Sequence, residues 1–159
     1  MIPPLTSREK EPAVETRQLT LPGTDEGVRR ALDAVAALWS EHGLSRAVTW
    51  PIDVSLDEVL ANVVHHGLSG RGEEACLELV LSLDTAVVPP ACELVVSDDG
   101  PEFDPLAADG PDTTLGVDER PIGGLGISLV RRLMDDVSYE RRDGRNHLRL
   151  RRRLVPMEA

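Results

Sequence analysis

Apolar and polar residues alternate through "ACLELVLSLD", where Leu77, Leu79, Leu81 and Leu83 are set against Glu78, Val80 and Ser82. A period of two predicts a strand with one buried face. "TRQLTLPG" reads as a shorter strand ending in a turn, and "CELVVSDDG" is apolar more continuously, as a central strand should be. "AVVPP" turns the chain between the last two. Helical spacing takes over elsewhere. Val28, Leu32, Val35, Ala36 and Trp39 predict a helix capped by Thr24 and running to about Gly43. "DVSLDEVLANVVHHG" predicts a second helix, capped near Asp53 or Ser55 and stopped at Gly67. Ile127, Val130, Leu133 and Met134 line a third, and "VSYERRDGRNHLRLRRRL" forms a hairpin turning at Asp143 and Gly144. Residues 104–122 hold no periodicity and read as a long loop, which in a compact domain is usually either functional or disordered. The order strand, helix, helix, strand, strand, loop, helix, strand, strand predicts an α/β two-layer sandwich with a largely antiparallel sheet.

Composition narrows what such a domain does. The chain has 159 residues, enough for one domain, of which 41% are hydrophobic and only 3% aromatic, so the core is aliphatic. A net charge of −11 argues against nucleic acid or an anionic membrane as partner and favours a protein or a small ligand. Arg131, Arg132, Arg141, Arg142, Arg145, Arg149, Arg151, Arg152 and Arg153 crowd the C-terminal part, either as a basic face for an acidic partner or as solvated side chains on a helix and an edge strand, and no site is drawn from them. Cys76 and Cys92 lie in apolar runs, the pattern of reduced cytosolic thiols, with a disulfide left open. No run approaches the roughly 18 apolar residues of a membrane span, and the N-terminus lacks a signal core. A cytoplasmic protein is expected, with residues 1–15 as a flexible tail and 16–159 as the domain.

Three constellations carry candidate chemistry. Glu58, Asn62 and His66 recur every four residues, forming one helix ridge opposite Leu56, Val59, Leu60, Val63 and Val64. That ridge either faces water or lines a site. "DDGPEFDP" puts acids and glycine at a strand end; it is an ordinary turn, or a carboxylate that accepts from an exocyclic amine while Gly100 admits a planar ring. In "PIGGLGISLVRRLMDDV", Gly123, Gly124 and Gly126 open a helix whose free N–H groups and dipole attract anions, close helix packing or a hinge being the other reading.

Taken together, "DEVLANVVHHG", "DDGPEFDP" and "GGLGISLVRRLMDDVSYER" resemble the histidine-kinase-like ATPase superfamily, and within it the anti-sigma-factor serine/threonine kinases of bacterial partner switching. The resemblance covers roughly residues 17–154. It implies a Bergerat-type ATP-binding fold, with a mixed, mostly antiparallel sheet covered on one face by helices. It also implies ATP and Mg²⁺ as cofactors, Asn62 as metal ligand, and Glu58 as the general base or the group orienting the attacking hydroxyl. Asp98 would read the adenine amino group beside Gly100 and Phe103. Gly123, Gly124, Leu125 and Gly126 would cradle the phosphates, His66 would sit at the pocket edge, and 104–122 would be the lid. Implied partners are an anti-anti-sigma-like protein and a sigma factor, with a homodimer as the suggested assembly. Glu102, beside Pro101, departs from the broader superfamily pattern. A non-catalytic, ATP-dependent module that sequesters a regulatory protein is the alternative.

Overall fold

The computed structural model describes residues 14–71, 74–107 and 124–158. The expected tail therefore lies outside them except for Val14 and Glu15, which already belong to the first strand. That strand, β1 (Val14–Pro22), leads into α1 (Asp25–Glu41). Thr24 caps α1 as expected: its hydroxyl accepts from the Gly27 N–H at 3.3 Å, and Asp25 and Glu26 add favourable charge to the first turn.

The second helix, α2 (Arg46–Asn62), starts seven residues before Asp53 and runs through Pro51. A proline there removes one intrahelical hydrogen bond and crowds the preceding turn. Burial of Ile52, Leu56, Val59 and Leu60 against the sheet outweighs that cost. Asp53 is no cap, because its carboxylate accepts from the Trp39 indole N–H at 2.8 Å and so joins α2 to α1. Ser55 donates to the Pro51 carbonyl at 2.7 Å. After Asn62 the helix widens into a π turn, Val63–Gly67, closed by the Leu68 N–H on the Val63 carbonyl at 2.8 Å.

Strands β2 (Cys76–Asp84) and β3 (Ala91–Asp98) follow, then α3 (Gly124–Leu133), β4 (Asp136–Arg142) and β5 (Arg145–Arg153). The sheet order is β1-β2-β3-β5-β4, and each ladder is antiparallel. β3 is thus central, as its composition predicts. β5 is not an edge strand: it inserts between β3 and β4, which makes those two run in the same direction with α3 crossing over between them. Asp143 and Gly144 both take positive φ, 53° and 72°, the two-residue hairpin geometry that an Asp-Gly pair favours.

Leu77, Leu79, Leu81 and Leu83 are fully buried beneath the helices and continue into Leu94, Val96 and Leu150 on the neighbouring strands. Arg152 departs from the solvated reading, because it is buried on that same face and donates to the Leu133 carbonyl at the end of α3 at 2.5 Å. No helix among the described residues is long and apolar enough to cross a membrane.

Candidate functional site

The C-terminal end of α2, the C-terminal end of β3 and the first turn of α3 meet at one end of the molecule. Two glycines measure how closely. A side chain built on Gly126 would collide with the Glu58 carboxylate, so the first turn of α3 lies directly against the C-terminal part of α2. A side chain on Gly100 would meet the Asp98 carboxylate at 2.8 Å and the Gly67 carbonyl at 2.9 Å, so the turn after β3 lies against the end of the π turn. Three segments far apart in sequence are therefore neighbours, and two of the glycines are there because backbone must approach a carboxylate or a carbonyl.

Glu58 and Asn62 are half-buried, whereas His66 is exposed. The ridge read at four-residue spacing holds for the first two residues and loosens at the third, because a π turn advances the chain less steeply around its axis than an α-helix. His65 is turned toward α1 and contacts the Asp25 carboxylate at 2.7 Å through Nε2. The Phe103 ring is exposed, and the residue contributes to the site through its N–H. Gly124 begins α3 and Leu125 follows it. Gly123 and positions 108–122 of the expected lid lie outside the described residues.

Asp98 is the most enclosed acid of the site, 5% exposed. Its Oδ1 accepts from the Gly100 N–H at 2.9 Å and from Asn146 Nδ2 at 3.0 Å. Both hydrogen bonds that its carboxylate accepts among the described residues fall on Oδ1. The turn that follows is held from three sides. Arg71 donates to the Asp99 carbonyl and to Oδ1 at 2.8 Å each, and to Oδ2 at 3.2 Å. Arg141 donates to the Gly100 carbonyl at 2.9 Å, and Asn146 Nδ2 to that of Pro101 at 2.8 Å. Beyond the turn, the Leu106 N–H donates to Asp104 Oδ1 at 2.8 Å, and Arg131 on α3 donates to the Leu106 carbonyl at 2.6 Å, tying the start of the long segment to that helix.

Burial would raise the Asp99 carboxyl, but Arg71 and the Cys76 N–H outweigh it and hold the group below its ordinary value of 3.8. A depressed carboxylate stabilises the fold fully above that ordinary value and loses its contribution as pH falls through the depressed one. Asp99→Ala should therefore lower stability by about 1 kcal/mol at neutral pH, the scale of a partly exposed, well-formed ion pair. Thermal melts of variant and parent should begin to draw together as pH falls below the ordinary carboxylate value and converge once Asp99 itself is protonated.

Asn146, Arg71, Arg141 and Tyr139 are not singled out by sequence. One signal was available: Asn146 shares the inward parity of Leu148 and Leu150, where an amide needs partners. Cys76 and Cys92 are both free thiols, which answers the open disulfide. Burial pushes the Cys92 thiol up, with Asp53 and Glu93 adding to the effect, so it is no nucleophile.

The site offers hard oxygen donors, the Glu58 carboxylate and the Asn62 amide, beside a helix start. Among the described residues no three or more His, Cys, Asp or Glu side chains cluster as a protein-only metal cage. This donor set fits Mg²⁺, which keeps water and phosphate as most of its ligands.

Residues 21–152 match the family described as histidine kinase-like ATPase domain. The chain is 32% identical over 126 residues to the serine/threonine-protein kinase BtrW of Bordetella bronchiseptica, covering 76% of this chain and 85% of that one. It is 30% identical over 124 residues to the serine-protein kinase RsbW of Listeria monocytogenes, covering 75% of each. Among solved structures, it is similar to the RsbU and RsbW domains of a Mycobacterium tuberculosis protein, with a TM-score of 0.62 and 15% identity over 89% of this chain. It spans 32% of that chain, and the likeness is one of fold.

Proposed function

The chain belongs to the histidine kinase-like ATPase family, and on that premise we propose that it is a cytoplasmic, ATP-dependent serine/threonine protein kinase acting on a small anti-anti-sigma-like protein. The observation that carries this reading is the meeting of Glu58 with the glycine-rich start of α3, which puts a carboxylate beside a helix N-terminus suited to phosphate.

In this reading the free N–H groups of α3 from Gly124 to Gly126, with Gly123 before them, hold the phosphates, and Leu125 holds its place in that turn. Asp98 accepts from the adenine amino group. Gly100 packs against it, and Phe103 and His66 flank the opening. Asn62 would hold Mg²⁺ through its amide oxygen, and the ion would neutralise charge on the phosphates. Glu58 orients the partner's hydroxyl and takes its proton. The hydroxyl oxygen forms the new bond to the γ-phosphorus, the bond to the bridging oxygen of the β-phosphate breaks, and ADP leaves. Positioning and charge neutralisation supply most of the acceleration in such transfers. A sigma factor is the second partner in this scheme, and a homodimer its assembly.

Incubating the protein with γ-labelled ATP, Mg²⁺ and an anti-anti-sigma-type protein tests the reading. Label on a serine or threonine of that protein is expected. A stable complex that never acquires label would leave a sequestering module instead.

A further inference from the structure

Asn146 is a buried amide with a full set of hydrogen bonds. Its Oδ1 accepts from the Tyr139 hydroxyl at 2.7 Å and from the Phe103 N–H at 3.2 Å. Its Nδ2 donates to Asp98 Oδ1 at 3.0 Å and to the Pro101 carbonyl at 2.8 Å. The orientation of the amide follows from its partners: a backbone N–H can only donate, and a backbone carbonyl can only accept. One end must therefore be oxygen and the other nitrogen. Asn146 also pairs directly with Asp98 across β3 and β5.

We propose that Asn146 is the positioning residue through which the site chooses its base. By donating to Oδ1 together with the Gly100 N–H, it saturates that oxygen and turns Oδ2 of the same carboxylate toward a ligand. An acceptor-only oxygen held in one direction rewards a base that offers a donor there, the 6-amino group of adenine. It rejects one that offers a carbonyl, as hypoxanthine does. Tyr139 acts one step further out, fixing the amide that fixes the carboxylate. The inference rests on the nucleotide reading above and adds to it the group that makes the site selective.

The test compares ATP with ITP, which differ at that purine position, by calorimetry on the full chain with Mg²⁺ present. Asn146→Leu removes the donor at similar size, and Tyr139→Phe removes only the outer hydroxyl. Asn146→Leu should weaken ATP about 10- to 30-fold and ITP less than about 3-fold, a scale set by one hydrogen bond to a charged group. The ATP-to-ITP preference should fall about tenfold, and Tyr139→Phe should move it about threefold in the same direction. A merely structural role would weaken both nucleotides in parallel or leave both alone, and either result overturns the proposal. If Asn146→Leu lacks a cooperative melt, Tyr139→Phe decides by the same criterion. If the parent protein binds neither nucleotide, the nucleotide reading itself fails and the inference with it. A parent that prefers ATP beside variants with unchanged preference removes the inference alone.

Discussion

Replacing Glu58 by glutamine should slow phosphoryl transfer by about 10²- to 10⁴-fold, the usual scale for a lost general base, while ATP affinity stays nearly unchanged. The two readouts separate for a structural reason. Glutamine has almost the size of glutamate, so the close approach of Gly126 to this side chain survives and α3 keeps its place against α2. What disappears is the ability to take a proton from the attacking hydroxyl. The loss should therefore fall on kcat with little change in KM for ATP, the signature of an interaction made mainly in the transition state. Single-turnover transfer to the protein partner, followed alongside calorimetry with ATP, measures both. Full transfer by the variant would remove Glu58 from the chemistry and leave the nucleotide site standing.

How legible that site was in the sequence depended on how local each of its signals is. The alternation of Leu77 to Leu83 declares β2 without ambiguity, because one face of that strand is sealed by helices. Asp143-Gly144 declares its hairpin because both positions need positive φ. Local rules start α2 near Asp53 or Ser55, after the helix breaker Pro51, and only burial of the flanking apolar residues against the sheet carries the helix back to Arg46. The π turn is invisible for a similar reason: "VVHHG" fits an ordinary helix, and the wider hydrogen bond arises only in the folded chain.

The braces of the Asp98 turn were hidden by topology. Asn146 reaches Asp98 because β5 lands between β3 and β4, and Arg141 reaches the Gly100 carbonyl from β4 beyond it. Parity along this hairpin shows which members point inward, but nothing local shows that they brace a turn more than 40 residues away. Residues that a ligand would touch lie in short, recognisable strings, whereas those that hold them in place are scattered across strands whose adjacency no local pattern announces.

Asp98→Asn should produce the largest change in binding, and its direction follows from the donors already in place. The Gly100 N–H and Asn146 Nδ2 both point at the Oδ1 position, so an amide introduced there must keep its oxygen facing them. Its nitrogen then occupies the Oδ2 position and offers hydrogen where the adenine amino group also offers hydrogen. A donor facing a donor in an enclosed site loses one charge-assisted bond and leaves polar groups unpaired, together about 10²-fold or more in ATP affinity. The carbonyl of hypoxanthine would meet that same nitrogen favourably, so ITP should weaken far less and should overtake ATP. Calorimetry with both nucleotides, on a variant shown by its melt to be folded, measures the reversal. Equal weakening of the two would mean that Asp98 supports the turn without reading the base, and unchanged ATP affinity would move the base away from the end of β3 altogether.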